Sequence, residues 1–475
     1  MLILRLSALS VAVCLLSACG NDSNAPAAAV AVHSSLYANG VTLPHTVIKG
    51  NLTNGAYPTR SMEVRQGGYG SDIGADPQNI NRFYGLTDRG PNADYSGAEG
   101  DGKMFLTPDY QPKIGHFELQ ADGSIRLLKT IGLKRPDGKP LTGLPNPNYG
   151  ATNEIAYGLD GKALLTDPSK PFDATSNPTQ TDPYGFDSEG LAVMSDGSFW
   201  ISDEYGPHLI HFDASGTEIE RINPFAADPR NKAGRSLPAE LGKRRANRGM
   251  EGLTVTPDGK TLVGIMQSTL NNPSSKANKT TLTRLVTIDL ATGKVQQYLY
   301  KQEQNDNSNC AIVALSATSF LVLERDGEFP LDKTSAFKRV YRISLNGATD
   351  LEALTDTAVL KQDAALGLLI NGKTLEEVVK ADGNWNTLTA HGLKPVSKTL
   401  VVDMVASKAY PHDKMEGLWL RVAGSKGQLG IINDDDFGVG ITGTVLEQKY
   451  LEGSKKTEDR TRLYLLDGLD LSPAR

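Results

Sequence analysis

The tripeptide Glu-Gly-Leu occurs three times, at Glu189, Glu251 and Glu416. Each copy heads a short apolar run that leads through a turn into a second apolar run ending in polar residues. Recurrence of this kind constrains the fold more than composition does. One hairpin cannot bury its own apolar faces, so copies of it must cover one another. The fullest copy is Phe186–Asp213, FDSEGLAVMSDGSFWISDEYGPHLIHFD, in which Ser-Asp-Gly and Asp-Glu-Tyr-Gly-Pro separate three strands. Glycine supplies positive φ at tight turns, and Asp bonds its own backbone there.

Six stretches align on this pattern: Gly67–Asn92, Asn153–Asp167, Phe186–Asp213, Arg248–Ser268, Cys310–Gly327 and Lys414–Gly438. Between them lie further alternating runs, at Lys113–Leu119, Ala121–Ile131, Thr283–Tyr300 and Lys338–Leu345. About four strands per unit is the composition of a propeller blade. The chain therefore reads as all-β, a β-propeller of five to seven blades with six preferred, and with a pair of β-sandwiches as the alternative. The surplus length falls in insertions at Pro91–Pro112, Phe225–Asn247 and Asp356–Val396. Within the last, Leu360–Gly383 reads as helical. The run Thr461–Leu469 is expected to close the ring by pairing with an N-terminal strand.

The first 18 residues read as a lipoprotein signal peptide. Arg5 precedes an apolar core, and Leu16-Ser17-Ala18-Cys19 resembles a lipobox with Cys19 as the lipidated residue. Gly20 after it favours the outer membrane, facing the periplasm or the cell surface. Residues 19–34 form a tether of small residues, and 35–475 the propeller domain. Cys14 leaves with the signal and Cys19 is acylated, so Cys310 stands alone in an apolar run and reads as a buried structural thiol. A net charge of −6 argues against nucleic acid as a partner. The membrane is reached only through the lipid.

In a propeller the first strand of each blade lines the central channel, so Glu189, Glu251 and Glu416 are expected to converge at one mouth. The second strands end at Asp88-Arg89, Asp203-Glu204, Gln267, Glu324-Arg325 and Asn433–Asp436, the last including Asp434. Converging carboxylates repel, so either their pKa values rise or a cation neutralises them. All-oxygen ligands suit Ca²⁺ first and Mg²⁺ second. The competing reading is that each acid caps a turn. A basic insertion ends in Arg248, three residues before Glu251, and guanidinium suits phosphate or carboxylate. No Gly-x-Ser-x-Gly elbow, Walker loop or paired-His zinc motif occurs.

The motifs FYGLTDRGPN, FDSEGLAV, FWISDEYGP and NRGMEGLTV resemble the bacterial phytase-like family described as esterase-like activity of phytase. The resemblance implies an exported β-propeller that hydrolyses phosphoesters or esters. Through likeness to propeller phytases it also implies Ca²⁺ dependence. It places Asp88, Arg89, Glu189, Asp203, Glu204, Arg248 and Glu251 at the site. The stretch Gly67–Ile73 departs from the family's usual opening. The reading is a metal-dependent phosphoester hydrolase in which Asp88, Arg89, Asp203, Glu204 and Arg248 do the chemistry. Glu189, Glu251, Glu416 and Asp434 hold the ion, and the substrate is a small phosphoester or ester. The alternatives are a lactonase or carboxylesterase on the same propeller, and a propeller that only binds.

Overall fold

The computed structural model describes residues 39–50, 52, 62–407, 410–442 and 445–474. The signal peptide, Cys19 and the tether lie outside them. Among the described residues no helix is long and apolar enough to cross a membrane.

Five four-stranded antiparallel sheets follow one another along the chain. Blade 1 is Asp72–Ala75, Arg82–Leu86, Lys113–Leu119 and Ile125–Gly132. Blade 2 is Ser188–Val193, Phe199–Asp203, Leu209–Phe212 and Glu218–Ile222. Blade 3 is Met250–Val255, Thr261–Met266, Leu282–Asp289 and Val295–Lys301. Blade 4 is Ser308–Ala314, Ser319–Arg325, Lys338–Ser344 and Ser397–Asp403. Blade 5 joins Met415–Val422, Gly424–Asn433 and Arg462–Leu471 to the N-terminal strand Val41–Thr42. Each first strand contacts that of the next blade, and that of blade 5 returns to blade 1. The ring is closed, a β-propeller.

The alternation along each strand has a simple cause: both faces of a blade are buried, each against a different neighbour. In Thr261–Met266, Leu262 enters the core shared with blade 2, while Val263 and Ile265 enter the core shared with blade 4. In Ser319–Arg325, Phe320 and Val322 face blade 3, and Leu321 and Leu323 face blade 5. Period-two side chains on a sheet with two apolar faces produce this pattern.

The Glu-Gly-Leu recurrence is explained at the same level. In four blades the pairing of strands one and two slips at this point: at Ser188/Leu191, Met250/Gly252, Asn309/Ala311 and Met415/Gly417. Each slip is a bulge that re-aims a side chain. The re-aimed residues include Glu189, Glu251 and Glu416, with Cys310 standing at that point in blade 4. The glycine that follows lets the next blade approach. A Cβ on Gly190 would lie 2.5 Å from the Glu251 carbonyl oxygen, and one on Gly417 would lie 2.9 Å from the Ile73 nitrogen.

Two expectations are corrected. The described residues hold five blades, not the preferred six, because Asn153–Asp167 builds none. Its strand Ile155–Tyr157 instead pairs in parallel with Gly100–Phe105, extending the inserted hairpin that begins at Asn92–Gly97. That hairpin rises from blade 1. The segment Leu360–Gly383 is helical only over Leu375–Asp382, where Thr374 and Glu377 form a capping box. Leu360–Asp363, Gly367–Ile370 and Lys373–Thr374 make a small sheet, in which Gly367 and Gly372 adopt positive φ. The closing strand falls where it was expected, with Val41 opposite Leu463 and Thr42 opposite Arg462. Cys310 is fully buried, as expected.

Candidate metal centre at the channel mouth

The bulges deliver the three Glu-Gly-Leu carboxylates to one end of the channel, but they divide between two groups. Asp187, Glu189 and Glu204 bring ligand oxygens within 4.8 Å of one another. Glu251 and Glu416 form a second group with Cys310, at the same spacing. Five of the six residues are buried, and Glu204 is half-buried. Burial and the neighbouring Glu251, Asp187 and Glu204 drive the Glu189 carboxyl well above its usual range, with Glu416 adding to the effect. Glu204 is pushed up in the same way, by burial, Glu251 and Asp187. Glu251 rises to about 7 through burial and the Glu416 charge, with Arg325 opposing.

The groups differ in what already neutralises them. Arg325 donates a charged hydrogen bond to Glu416. Burial holds the Cys310 thiol well above its usual pKa. The second group thus contains its own cation and a protonated thiol. The first group has one basic contact among the described residues. The Arg89 backbone N–H donates to Asp187 Oδ1 at 3.1 Å, and Arg89 Nε stands 3.3 Å from Asp187 Oδ2. That Oδ2 takes no hydrogen bond and is sealed from solvent. Glu204 accepts from the neutral Gln267 amide at 3.0 Å.

The first group forms part of the wall of a cavity of about 460 Å³, together with Asp88, Arg89, Lys414, Asp436 and Lys449. Asp88 is pushed up to about 8 by burial and by the Asp187 charge, and it accepts the Gly90 backbone N–H at 2.7 Å. Arg89 is held by four partners at 3.3 Å: Asp187, Glu154, the Tyr205 hydroxyl and Asn247. Lys414 sits between Asp434, 3.2 Å away, and Asp436, and these carboxylates push its pKa well up against burial.

The residues expected at the site are therefore sorted by the fold. Glu189 and Glu204 converge, while Asp88 and Arg89 stand beside them on the wall. Glu251 and Glu416 lie behind this wall with Arg325. Asp434 is driven up by burial and serves as a partner of Lys414. Asp203 turns away from the cavity. Its Oδ1 accepts the N–H groups of Asp187 and Tyr205, at 3.0 and 3.1 Å, and its Oδ2 that of Gly206 at 3.3 Å. Arg248 does not line the cavity, and its guanidinium reaches the Ser308 hydroxyl at 3.4 Å. The rest of the basic insertion is engaged elsewhere: Arg244 donates to the Tyr205 carbonyl oxygen, and Arg245 pairs with Asp306.

Two buried acids escape a reading of the sequence. Asp187 is the acid two positions before Glu189, and neither of the other Glu-Gly-Leu copies has an acid there. That asymmetry within a repeat was the available signal. Asp72, buried between blades 1, 2 and 5, accepts backbone N–H groups from Leu191, Ile73 and Leu418. It gives no sequence signal beyond its position at the head of a first strand.

A secreted protein of Arthroderma benhamiae, described as uncharacterized, is 32% identical over 241 residues. The match covers 42% of this chain and 45% of that protein, so this chain spans less than half of its relative's length. Among solved structures, a virginiamycin B lyase from Staphylococcus aureus matches at 12% identity over 76% of this chain and 91% of its own, with a TM-score of 0.28. A Dos1 propeller matches at 9% over 85% and 84%, with a TM-score of 0.26. Similarities this remote say nothing of activity. The decisive match is the family model, which spans residues 65–437, from just before blade 1 to just past the second strand of blade 5. The chain belongs to the phytase-like family described as esterase-like activity of phytase.

Proposed function

We propose that the protein is an exported, metal-dependent hydrolase of phosphoesters that works at the channel mouth. The observation that carries this reading is the Asp187–Glu189–Glu204 group on the cavity wall. It consists of three carboxylates within 4.8 Å, one presenting a buried oxygen without a hydrogen-bond partner. Its donor set fits a hard cation. The oxygens are all carboxylate, the negative charge exceeds what Arg89 offsets, and no thiol or imidazole is present. The group containing Cys310 and Arg325 does not fit, so Glu251 and Glu416 serve as a negative background rather than as ligands. Asp187, Glu189 and Glu204 would hold Ca²⁺, or Mg²⁺ second, and the ion would supply Lewis acidity at the mouth.

The residues of the chain have separate tasks in this scheme. Arg89 fixes Asp187 through both its backbone and its guanidinium, and the Tyr205 ring, 5.4 Å from that guanidinium, backs it. Asp203 holds the turn that carries Asp187, Glu204 and Tyr205. Asp88 and Lys414 face the space where the ester sits. In the reaction a water oxygen bonds phosphorus and gives up a proton, the bond from phosphorus to the alcohol oxygen breaks with its electron pair, and that oxygen takes the proton.

Export is supported by the signal-like N-terminus and by the secreted relative. Lipidation at Cys19 and an outer-membrane position belong to the same proposal. Activity toward a panel of phosphomonoesters and lactones, with and without a chelator, tests it. Chelator-sensitive release of phosphate supports the reading. Turnover of lactones alone, or chelator-insensitive turnover, overturns it in favour of an esterase.

A further inference from the structure

On the hydrolase reading above, we infer that the substrate is a monoester of an apolar or aromatic alcohol, not a polyphosphorylated polyol. The inference follows from the charge and shape of the cavity wall.

Nine carboxylates and five bases line the cavity. With one divalent ion in place, a formal surplus of two negative charges remains. Each base is already engaged by carboxylates of the protein. Lys103 pairs with Asp94, Lys455 with Glu447, and Lys414 with Asp434 and Asp436. Lys449 lies 3.0 Å from Asp413 and 2.6 Å from Asp436, and Arg89 pairs with Asp187 and Glu154. A polyanion needs several guanidinium or ammonium groups free to meet it. This wall offers one positive locus, the ion, and surrounds it with acids. One phosphoryl group fits there, and further phosphates would be repelled.

Apart from Asn92 and Gln448, the uncharged side chains of the wall are apolar or aromatic. The loop after the second strand of blade 4 presents Phe329, and the insertion in blade 5 presents Val439, Ile441 and Tyr450. Ala93 of the blade 1 insertion completes this side. Phe329, Ile441 and Tyr450 are only half-buried, so their apolar surface remains available. These groups share the cavity with the carboxylate group, which places an apolar leaving alcohol beside the scissile bond.

The test uses the full domain loaded with Ca²⁺ and three probes: 1-naphthyl phosphate, glycerol phosphate and inositol hexakisphosphate. Binding is read by calorimetry, independently of turnover. Naphthyl phosphate is expected to bind about tenfold more tightly than glycerol phosphate, the scale of one apolar contact surface, with the hexakisphosphate weakest. Ile441→Lys should narrow the gap to the hexakisphosphate, and Phe329→Ala should weaken naphthyl phosphate more than glycerol phosphate. Binding in this order without phosphate release would sustain the substrate class and overturn the hydrolase reading. Tightest binding by the hexakisphosphate, or binding by none of the three, would overturn the inference itself.

Discussion

Asp187 and Arg89 meet through two contacts across 98 residues of chain, a backbone N–H to Oδ1 at 3.1 Å and Nε to Oδ2 at 3.3 Å. Arg89 follows the second strand of blade 1 by three residues, and Asp187 immediately precedes the first strand of blade 2. Their pairing makes the geometry of the carboxylate group depend on how two blades pack. Arg89 is buried, and so is its partner.

Arg89→Gln leaves Asp187 without its only ion-pair partner among the described residues. Removing one member of a buried pair costs about 3–5 kcal/mol. Urea denaturation should show a loss of that size. Calorimetry should show weaker Ca²⁺ binding, because the Asp187 carboxylate keeps its backbone contact but loses the guanidinium that orients Oδ2.

Saturating Ca²⁺ should raise the melting temperature of the parent protein. At one hundred times Kd the linked stabilisation is about 2.7 kcal/mol. The double substitution Asp187→Asn, Glu189→Gln should abolish this increment. In chelator Glu189→Gln alone, which leaves the Arg89–Asp187 pair intact, should raise stability, since the fold holds that carboxyl against burial and its acidic neighbours. Differential scanning calorimetry with and without EDTA reads both outcomes. An undiminished calcium response in the double variant would falsify the assignment of these ligands.

Asp72→Ala should be among the most damaging single changes in the molecule. It orphans the N–H groups of Leu191, Ile73 and Leu418, which belong to three different blades. At about 1–3 kcal/mol for each unsatisfied buried group, a loss of about 3 kcal/mol or more is expected by chemical denaturation. Asp72→Asn keeps one acceptor oxygen and should lose less.

His208 adds a component of pH dependence opposite in sign to that of the raised carboxyls Glu251 and Asp88. It is fully buried, with the Asn223 amide donating to Nδ1 at 2.9 Å and Nε2 facing the Tyr149 carbonyl oxygen at 2.8 Å. Those partners require the neutral ring with its proton on Nε2. Burial and Arg221 hold its pKa well below 6.5. The unfolded chain therefore binds the proton first. This contribution to stability is complete above pH 6.5 and is lost as pH falls from 6.5 toward the lowered folded value. Denaturation between pH 7 and 5 should show a slope of up to about 1.4 kcal/mol per pH unit from this group. His208→Gln should remove it.

Much of the architecture was legible because propeller blades repeat: Glu189, Glu251 and Glu416 announce the first strands, and alternating apolar residues announce the rest. The blade count was not. Asn153–Asp167 has the strand-turn-strand composition of a blade, but its strand Ile155–Tyr157 found a parallel partner in an insertion instead. Local pattern fixes a strand and leaves its neighbour open. At the site, Glu189 and Glu204 were readable as acids at strand ends. Asp203 turned instead to backbone amides, and an Asp ending a strand looks the same in sequence whether it faces a ligand or such amides. Which carboxylates a nearby guanidinium neutralises, as Arg325 does Glu416, depends on rotamers and bulges that composition does not encode.

The strand that completes blade 5 comes from the beginning of the chain, Val41–Thr42, and lies against Arg462–Leu471 near its end. The ring thus has a clasp made of the first and last strands among the described residues. A chain entering its destination compartment amino end first holds one half of the clasp from the outset and must wait for the other. Completion of the fold is thereby timed to the arrival of the last strand. Any chain cut short before Arg462 would leave blade 5 open, with an unpaired edge exposed to degradation.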